Sequence, residues 1–490
     1  MTQRVILAID EGTTNSKAAL FSEDGSILAT GSSPVPIRHP KSGWVDQRAD
    51  EIWDATVAAI SACLEEGPEV EIAAIGISNQ RESILIWDRA TGAPLGPVVT
   101  WQCRRSAAAC ERLKAEGKEP DVIARTGLPL DPLFPATKVG WLLENHAKDR
   151  DPAEICVGTV DSWLIWKFTG GAAHAGDASN AARTQLFNIG DGQWDAELCA
   201  LFGVAREMLP EVYDSSHVFG TTASVEGLPD GIPVASAIGD SHAALFGHGA
   251  HLPGDGKVTF GTGSSVMTTV PSFVVPPKGI TTTIAWQYDG TITYAFEGNI
   301  LVSASILPWT AELLGVGSVD ELMALSETVD TTLGVSLVPA HVGLGSPHWD
   351  SEARGLISGL NFSAGPAHIA RAAVESIAFQ VNDVFEIVRA NAGQDIGRLF
   401  VDGGPSRNMG LMQMVADIID HSVITSESAD ASARGAAYLA GLAVGFWQDL
   451  ETVAGLEPHD TALEPRMDPA ARAAAVGLWT TAIKRSTMRP

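Results

Sequence analysis

The sequence has few cysteines, few basic residues and no CxxC pair, and each shortage excludes a class of protein. There are five cysteines, and none follows Cys199. This usage is typical of reduced thiols and supports neither a disulfide framework nor a zinc site. Lys and Arg number 32 against 59 Asp and Glu, so the formal net charge is −27. A field of that sign repels phosphate backbones, which argues against a nucleic-acid partner.

Targeting and membrane signals are also missing. No stretch approaches the roughly 18 uninterrupted apolar residues of a membrane span. The chain runs from Met-Thr-Gln-Arg directly into a short apolar run that ends at Asp10, and this run is too short for a signal peptide. We therefore expect a cytoplasmic protein without a membrane partner. The sequence leaves homo-oligomerisation open.

Two familiar nucleotide-binding motifs do not occur. Without GxxxxGK[ST] or GxGxxG, neither a P-loop nor a Rossmann site is supported. Instead, two Gly/Thr-rich turns follow short apolar strands, at residues 10–16 and 261–265. Their glycines allow close backbone approach and their threonines add hydroxyl donors, so together they could hold phosphates without net positive charge. Taken alone, either turn is more typical of an ordinary hairpin.

The chain is too long for a single hydrophobic core. It has 490 residues, of which 45% are hydrophobic and 19% charged. At about 100–200 residues per domain, more than one domain is expected. Strand, Gly/Thr turn and strand open each half, and helices follow, for example Asp50–Glu66 and His368–Ala392. Asp50 could cap the start of the first of these helices, and Gly67 its end. Because Pro253 and Gly254 break the pattern, we predict two α/β domains, residues 1–252 and 253–490.

Three aspartates end apolar strands. Asp10 is a candidate for holding Mg²⁺ through water, because hard cations prefer carboxylate oxygens. Asp240 follows the apolar run Val234–Ile238 and precedes a helix-like stretch. Its position fits a helix N-cap and a catalytic base in a cleft equally well. Asp402 ends the third such strand.

Two further segments allow a structural and a functional interpretation. Arg81 and Glu82 follow a predicted strand, where adjacent opposite charges are usually a solvated surface pair. They could equally form a clamp in which Arg81 donates to ligand oxygens and Glu82 accepts from hydroxyls. Trp101 is either a core residue or an apolar wall against the carbon atoms of a ligand.

At these residues the sequence resembles the FGGY carbohydrate kinases, and most of all the glycerol kinases among them. The resemblance runs along essentially the whole chain. It rests on the joint order of the segments 10–14, 79–82, 101–102, 159–164, 239–240, 261–263, 343–350, 355–375 and 402–404.

The resemblance implies a two-domain α/β protein of the actin-like, ribonuclease H-like ATPase fold, with a cleft between the domains. It implies ATP-dependent phosphorylation of a hydroxyl on a small polyol or sugar, with ATP and Mg²⁺ as cofactors and Asp240 as the general base. The implied substrate contacts are Arg81, Glu82, Trp101, Leu133, Asp240, Ser241 and Ser265. The implied ATP contacts are Thr13, Thr14, Lys17, Gly261, Thr262, Gly404 and Asn408.

The resemblance has departures, and they fall in the substrate pocket. Leu133 stands where glycerol kinases have a Tyr that bonds glycerol, Ser241 where they have a Gln, and Ser265 where a Phe closes the pocket. Lys138 and Trp141 still fit the family's first signature. We therefore expect the substrate to be glycerol or a somewhat larger polyol or ketose.

Two alternatives stay open. One is a strict glycerol kinase with a variant pocket. The other is an ATP-driven assembly protein, because actin and Hsp70 share this fold. The clamp residues Arg81 and Glu82 and the wall residue Trp101 favour a kinase, since an assembly protein needs no polyol site.

Overall fold

The computed structural model describes residues 2–426, 430–456 and 461–489. Two mixed β-sheets form its centre, a six-stranded sheet in the N-terminal half and a seven-stranded sheet in the C-terminal half. A smaller four-stranded sheet is added to the N-terminal half.

The N-terminal half contains most of the short elements. Its strands are β1 (Gln3–Glu11), β2 (Asn15–Phe21), β3 (Ile27–Pro34), β4 (Asp46–Gln47), β5 (Val70–Asn79), β6 (Ile84–Asp88), β7 (Val98–Val99), β8 (Ile155–Thr159), β9 (Ala175–Asp177), β10 (Phe187–Asn188), β11 (Gln193–Trp194), β12 (Glu211–Tyr213), β13 (Ser216–Thr221) and β14 (Pro233–Gly239). Its helices are α1 (Ala49–Glu66), α2 (Ala107–Ala115), α3 (Glu119–Thr126), α4 (Ala136–His146), α5 (Val160–Phe168), α6 (Ala178–Ala182), α7 (Ala196–Phe202) and α8 (Asp240–Gly247).

The C-terminal half has longer helices. Its strands are β15 (Gly256–Phe260), β16 (Ser264–Val270), β17 (Thr281–Tyr288), β18 (Thr291–Ile300), β19 (Ser336–Val338), β20 (Leu356–Ser358), β21 (Leu399–Asp402), β22 (Val423–Thr425) and β23 (Thr461–Leu463). Its helices are α9 (Ile306–Leu314), α10 (Val319–Ser326), α11 (Pro366–Asn391), α12 (Met409–Ile419), α13 (Ala431–Ala443), α14 (Leu450–Ala454) and α15 (Pro469–Ser486).

The two large sheets follow one plan. Their orders are β13-β14-β5-β1-β2-β3 and β17-β18-β16-β15-β21-β22-β23. In each, a Gly/Thr turn joins two antiparallel strands, β1 to β2 and β15 to β16. The first strand of each hairpin also pairs in parallel with a later strand, β5 and β21 respectively. Two α/β halves are thus built alike. The boundary predicted at 252–253 lies in the connection from α8 to β15 and stays a prediction.

The predicted long helices form with small shifts at their ends. Residues 5–9 of β1 are all buried, so other elements must pack against both faces of this strand. Helix α1 packs against one of them. We predicted that Asp50 caps α1, but the N-cap is Arg48, and Asp50 lies in the first turn. A carboxylate in the first turn is still stabilised by the positive end of the helix dipole. Gly67 ends α1 as expected.

One C-terminal helix returns to the N-terminal sheet. Helix α13 packs on β5, β1 and α8. The approach is so close that a Cβ added at Gly435 would lie 1.9 Å from the carbonyl oxygen of Ala243, and one at Gly247 would lie 2.1 Å from that of Ala431. Glycine at these positions therefore joins the two halves. Among the described helices, none combines enough length and apolar character to cross a membrane.

Candidate active site

Asp240 begins helix α8 at the end of strand β14. The N-cap of α8 is Gly239, so the alternative that Asp240 is only a cap is wrong. The Asp240 Oδ1 atom accepts from the backbone N–H of Ser241 at 2.6 Å and from Nε of Arg81 at 3.2 Å. A Cβ at Gly239 would lie 2.7 Å from the Cγ of Arg81, so only glycine lets this arginine cross the turn.

Charged side chains of alternating sign continue from Asp240 across the junction of the two halves. The Nη1 atom of Arg81 lies 2.8 Å from Oε1 of Glu297, which belongs to β18 of the C-terminal half. The other oxygen of Glu297, Oε2, lies 2.8 Å from Nη1 of Arg183, and Nε of Arg183 donates to Glu82 at 2.6 Å. The side chains of Glu297 and Arg183 are 0% and 1% exposed. Buried charges persist only when paired in this way.

The network sets the protonation states in the site. Burial opposes ionisation of Glu297, but the charges of Arg183 and Arg81 outweigh it and lower the pKa of this carboxyl. Burial likewise opposes the charge on Arg81, and the surrounding carboxylates, led by Glu297, raise its pKa above the usual value. Burial raises the pKa of Asp240, while Arg81 works against that rise. A carboxylate of raised pKa beside an arginine is suited to accept a proton.

Sequence reasoning missed two members of this network. Arg183 follows α6, and Glu297 lies in β18. The signal that could have found Glu297 is a charged residue directly after an apolar alternation. Its partners lie on the other half of the chain, so the sequence gives no indication of the pairing.

The predicted clamp and wall residues lie close together. Glu82 adopts a left-handed backbone with φ of 58°, which is uncommon outside glycine and marks a constrained position. The backbone N–H of Trp101 donates to the hydroxyl of Ser83 at 3.2 Å. The indole N–H of Trp101 donates to the Thr13 hydroxyl at 2.9 Å. Trp101 is 37% exposed, so it is not the core residue of the structural alternative.

The three pocket positions that depart from the resemblance are partly accessible. Leu133, Ser241 and Ser265 are all of intermediate burial. The Ser265 hydroxyl donates to Oε1 of Glu297 at 3.3 Å. Ser265 is thus joined to Arg81 through one carboxylate, and the pocket has a polar face here.

The first Gly/Thr turn contains the predicted phosphate contacts Thr13 and Thr14. It is closed by a bond from the Gly12 N–H to the Asn15 carbonyl at 3.0 Å. Thr14 and Lys17 are exposed, and the Lys17 ammonium lies 3.8 Å from Asp430. Their side chains are therefore accessible to a ligand.

The second turn lies against the predicted adenosine segment. Gly261 closes it by donating to the Gly263 carbonyl at 2.8 Å. A Cβ at Gly403 would lie 1.9 Å from the Phe260 carbonyl, so the segment that contains Gly404 sits directly on this turn. Asn408 caps α12 through its side chain, which accepts from Leu411 at 2.8 Å. Thr262 is exposed beside them.

Asp10, which the sequence predicts as a magnesium contact, lies in β1 beside Ser78. Its carboxylate accepts from Ser78 at 2.9 Å, and burial, followed by the negative charge of Asp240, raises its pKa to about 6. Within the described ranges, no group of three His, Cys, Asp or Glu side chains could hold a metal ion. A cation here would keep water and ligand oxygens in its shell, as Mg²⁺ prefers.

Two matching sheets, a Gly/Thr turn at the start of each, and a carboxylate–arginine network between them define a phosphotransferase of the two-domain actin-like, ribonuclease H-like fold. The structure superposes on that of Plasmodium falciparum glycerol kinase with ADP at a TM-score of 0.95 and 31% identity, covering 100% of this chain and 99% of the other. The xylulose kinase of Lactobacillus acidophilus has the same fold, with a TM-score of 0.89 at 21% identity.

Residues 5–247 match the N-terminal domain, and residues 256–444 the C-terminal domain, of the FGGY family of carbohydrate kinases. The chain belongs to this family. It is 44% identical to the apulose kinase of Pectobacterium atrosepticum, over 99% of each chain. It is also 44% identical to the glycerol kinase of Rhodopirellula baltica, over 99% of this chain and 91% of the relative.

The protein is therefore a kinase that uses ATP to phosphorylate a polyol or sugar. The choice between a kinase and an ATP-driven assembly protein is made in favour of the kinase.

Proposed function

We propose that this kinase transfers the γ-phosphate of Mg·ATP to a hydroxyl of a four- or five-carbon polyol or ketose, with Asp240 as the general base. The observation that carries the proposal is the polar face at Ser265 and Glu297, whose oxygens lie 3.3 Å apart beside Arg81. The family resemblance leads us to expect a Phe ring at the position of Ser265. The smaller serine leaves space for a larger substrate and offers it a hydroxyl for hydrogen bonding.

The chemistry follows from the arrangement around Asp240. The substrate hydroxyl gives its proton to Asp240 while its oxygen attacks the γ-phosphorus, and the bond from that phosphorus to ADP breaks. Arg81 and Glu82 hold the reacting end of the substrate, and Trp101 covers its carbon atoms. Asp10 would hold Mg²⁺ through water, and the ion would supply positive charge to the transferred phosphoryl group.

The nucleotide is proposed to bind across both halves. Backbone N–H groups and hydroxyls of the two turns hold its phosphates, and Lys17 adds a cation. The segment 404–408 lies beside the second turn and holds the adenosine. The contacts proposed for ATP are Thr13, Thr14, Lys17, Gly261, Thr262, Gly404 and Asn408.

Two losses weaken the case for glycerol. Leu133 and Ser241 lack the phenol and the amide that would bond its hydroxyls, and each lost hydrogen bond costs about 0.5–1.5 kcal/mol. Together they would reduce the use of glycerol by roughly 10- to 100-fold. The second candidate, a glycerol kinase with a variant pocket, is supported by the Rhodopirellula relative. This chain is equally identical in sequence to that glycerol kinase and to the apulose kinase, so sequence identity does not distinguish the two candidate substrates.

The experiment that tests the substrate compares kcat/KM for glycerol, erythritol, threitol, erythrulose, ribitol and xylulose at one ATP concentration. We expect a four- or five-carbon compound to have the highest value. Ser265→Phe should lower that value by closing the pocket, whereas Ser265→Ala should lower it less, because only a hydroxyl is lost. If glycerol has the highest value in the wild type, the enlarged pocket is wrong.

The experiment that tests the base is Asp240→Asn. Loss of base assistance should lower kcat by about 10²- to 10⁴-fold, with little change in the Kd of an ATP analogue. Ser241→Ala is the matched neighbour and should change KM for the substrate rather than kcat. Near-normal kcat in Asp240→Asn would remove Asp240 from this role.

A further inference from the structure

Lys138 is a buried cation beside the site that the proposed chemistry does not use. It lies on α4, and none of its surface is exposed. Among the described residues, it forms no ion pair with a carboxylate. Burial lowers its pKa to about 7, and the charge of Glu82 is the main influence that opposes this fall. A lysine is rarely kept in such a place without a structural reason.

The ammonium of Lys138 is bound by three backbone carbonyls. Its Nζ atom donates to the carbonyl of Leu133 at 2.6 Å, of Thr100 at 3.0 Å and of Glu82 at 3.2 Å. An ammonium has three N–H donors, so all of them are used. Hydrogen bonds from a charged donor are the stronger kind.

These three carbonyls belong to three separate segments of the proposed substrate site. Glu82 is proposed to accept substrate hydroxyls, Thr100 immediately precedes the proposed wall residue Trp101, and Leu133 is a predicted pocket residue. The three carbonyls lie 18 to 51 residues apart along the chain. The left-handed backbone of Glu82 also needs a fixed partner, because such a conformation is strained in a non-glycine residue.

We infer that Lys138 is the positioning residue of the substrate pocket, which fixes three binding segments at once by holding their backbones. Lys138 does not touch the reacting atoms. It acts through Glu82, Trp101 and Leu133, so its loss should weaken substrate binding and leave the nucleotide site and Asp240 in place. The inference rests on the proposed substrate site.

The test is Lys138→Met, which replaces the amine with an unbranched apolar chain. With the best substrate of the panel above, we expect KM for that substrate to rise roughly 10- to 100-fold, as two or three charge-assisted hydrogen bonds are lost. The kcat should fall less than about threefold, and the Kd of an ATP analogue should change less than about twofold. The ATP-analogue titration also shows that the variant is folded.

The matched control is Leu142→Ala, one turn further along α4. Leu142 is fully buried and lies in the same hydrophobic cluster as the helix's other buried residues, so its truncation destabilises α4 without touching the ammonium. We expect it to lower the unfolding temperature and to leave KM near the wild-type value. If it raises KM as much as Lys138→Met does, the effect is one of helix stability, and the inference is wrong.

A second control separates this inference from the proposed substrate site. Trp101→Ala removes a wall residue directly and should raise KM. If Trp101→Ala leaves KM unchanged, the proposed site itself is wrong. If Trp101→Ala raises KM but Lys138→Met leaves it unchanged, the site stands and Lys138 has no positioning role.

Discussion

The bond from the Trp101 indole to the Thr13 hydroxyl joins the proposed substrate wall to the first Gly/Thr turn, the proposed phosphate site, and we expect it to couple the two ligands. Substrate carbon atoms that settle against the indole fix its orientation, and the ring N–H then holds the Thr13 hydroxyl in the turn. Because Trp101 is 37% exposed, the bond competes with water and contributes about 0.5–1.5 kcal/mol. At about 1.4 kcal/mol per factor of ten, this predicts a coupling of roughly two- to tenfold.

The perturbation is Trp101→Phe, which keeps an aromatic wall but removes the donor. The Kd of an ATP analogue is measured with and without saturating substrate, and the ratio is the coupling factor. We expect this factor to fall toward one in Trp101→Phe and in Thr13→Val. If one bond carries the coupling, the double variant loses no more than either single variant.

The matched control is Trp194→Phe. Its indole donates to the Pro210 carbonyl at 2.9 Å, so it loses a similar bond outside the cleft and should keep the wild-type coupling factor. An unchanged factor in Trp101→Phe, or additive losses in the double variant, would refute the reasoning.

Two further predictions concern the junction between the halves. Glu297→Gln removes one carboxylate partner from each of two buried arginines and should lower the free energy of unfolding, measured in urea, by about 3–5 kcal/mol. Glu386→Gln is the control, because the Glu386 side chain is 44% exposed and its loss of charge should change the free energy of unfolding little. Equal effects of the two variants would show that the buried network is not stabilising. Gly435→Ala places a Cβ 1.9 Å from a backbone oxygen and should lower the free energy of unfolding by about 1–3 kcal/mol or more. Gly477→Ala, on α15, adds its Cβ in open space and should raise the free energy of unfolding by about 0.5–1 kcal/mol. Thermal unfolding checks the pair, and a stabilised Gly435→Ala would contradict the close approach of α13 and α8.

The sequence predicted those parts of the fold that have local signals. The apolar run of β1 and the Gly/Thr turn after it stand together in the chain, and the same is true of β15 and residues 261–263. The long helix α11 was predicted within two residues of its ends, because its apolar face repeats at helical spacing. The start of α1 was misplaced by choosing the better capping residue, Asp50, where the chain uses Arg48.

The charged network could not be predicted in the same way. Arg183 and Glu82 are 101 residues apart, and Glu297 reaches both arginines from the other half of the chain. No periodic pattern in the sequence indicates such a pairing, because each of these residues fits its own strand or turn whether or not the pair forms. The return of α13 to the N-terminal sheet is also invisible locally, since an apolar helix face does not specify its partner.

The position of Glu297 bears on how the kinase avoids transferring phosphate to water. Phosphoryl transfer depends mainly on positioning and charge stabilisation, so a site that is complete without substrate would hydrolyse ATP. Arg81 contacts the proposed base Asp240 on its own half and Glu297 on the other half. The proposed clamp therefore depends on a contact between the two halves, and we expect that contact to help to exclude water from the transferred phosphoryl group. The Ser265 hydroxyl bonds the same carboxylate, so a substrate that fills the space beside Ser265 contacts the residue that joins the halves. We therefore expect recognition of the substrate and contact between the halves to be coupled through the side chain of Glu297.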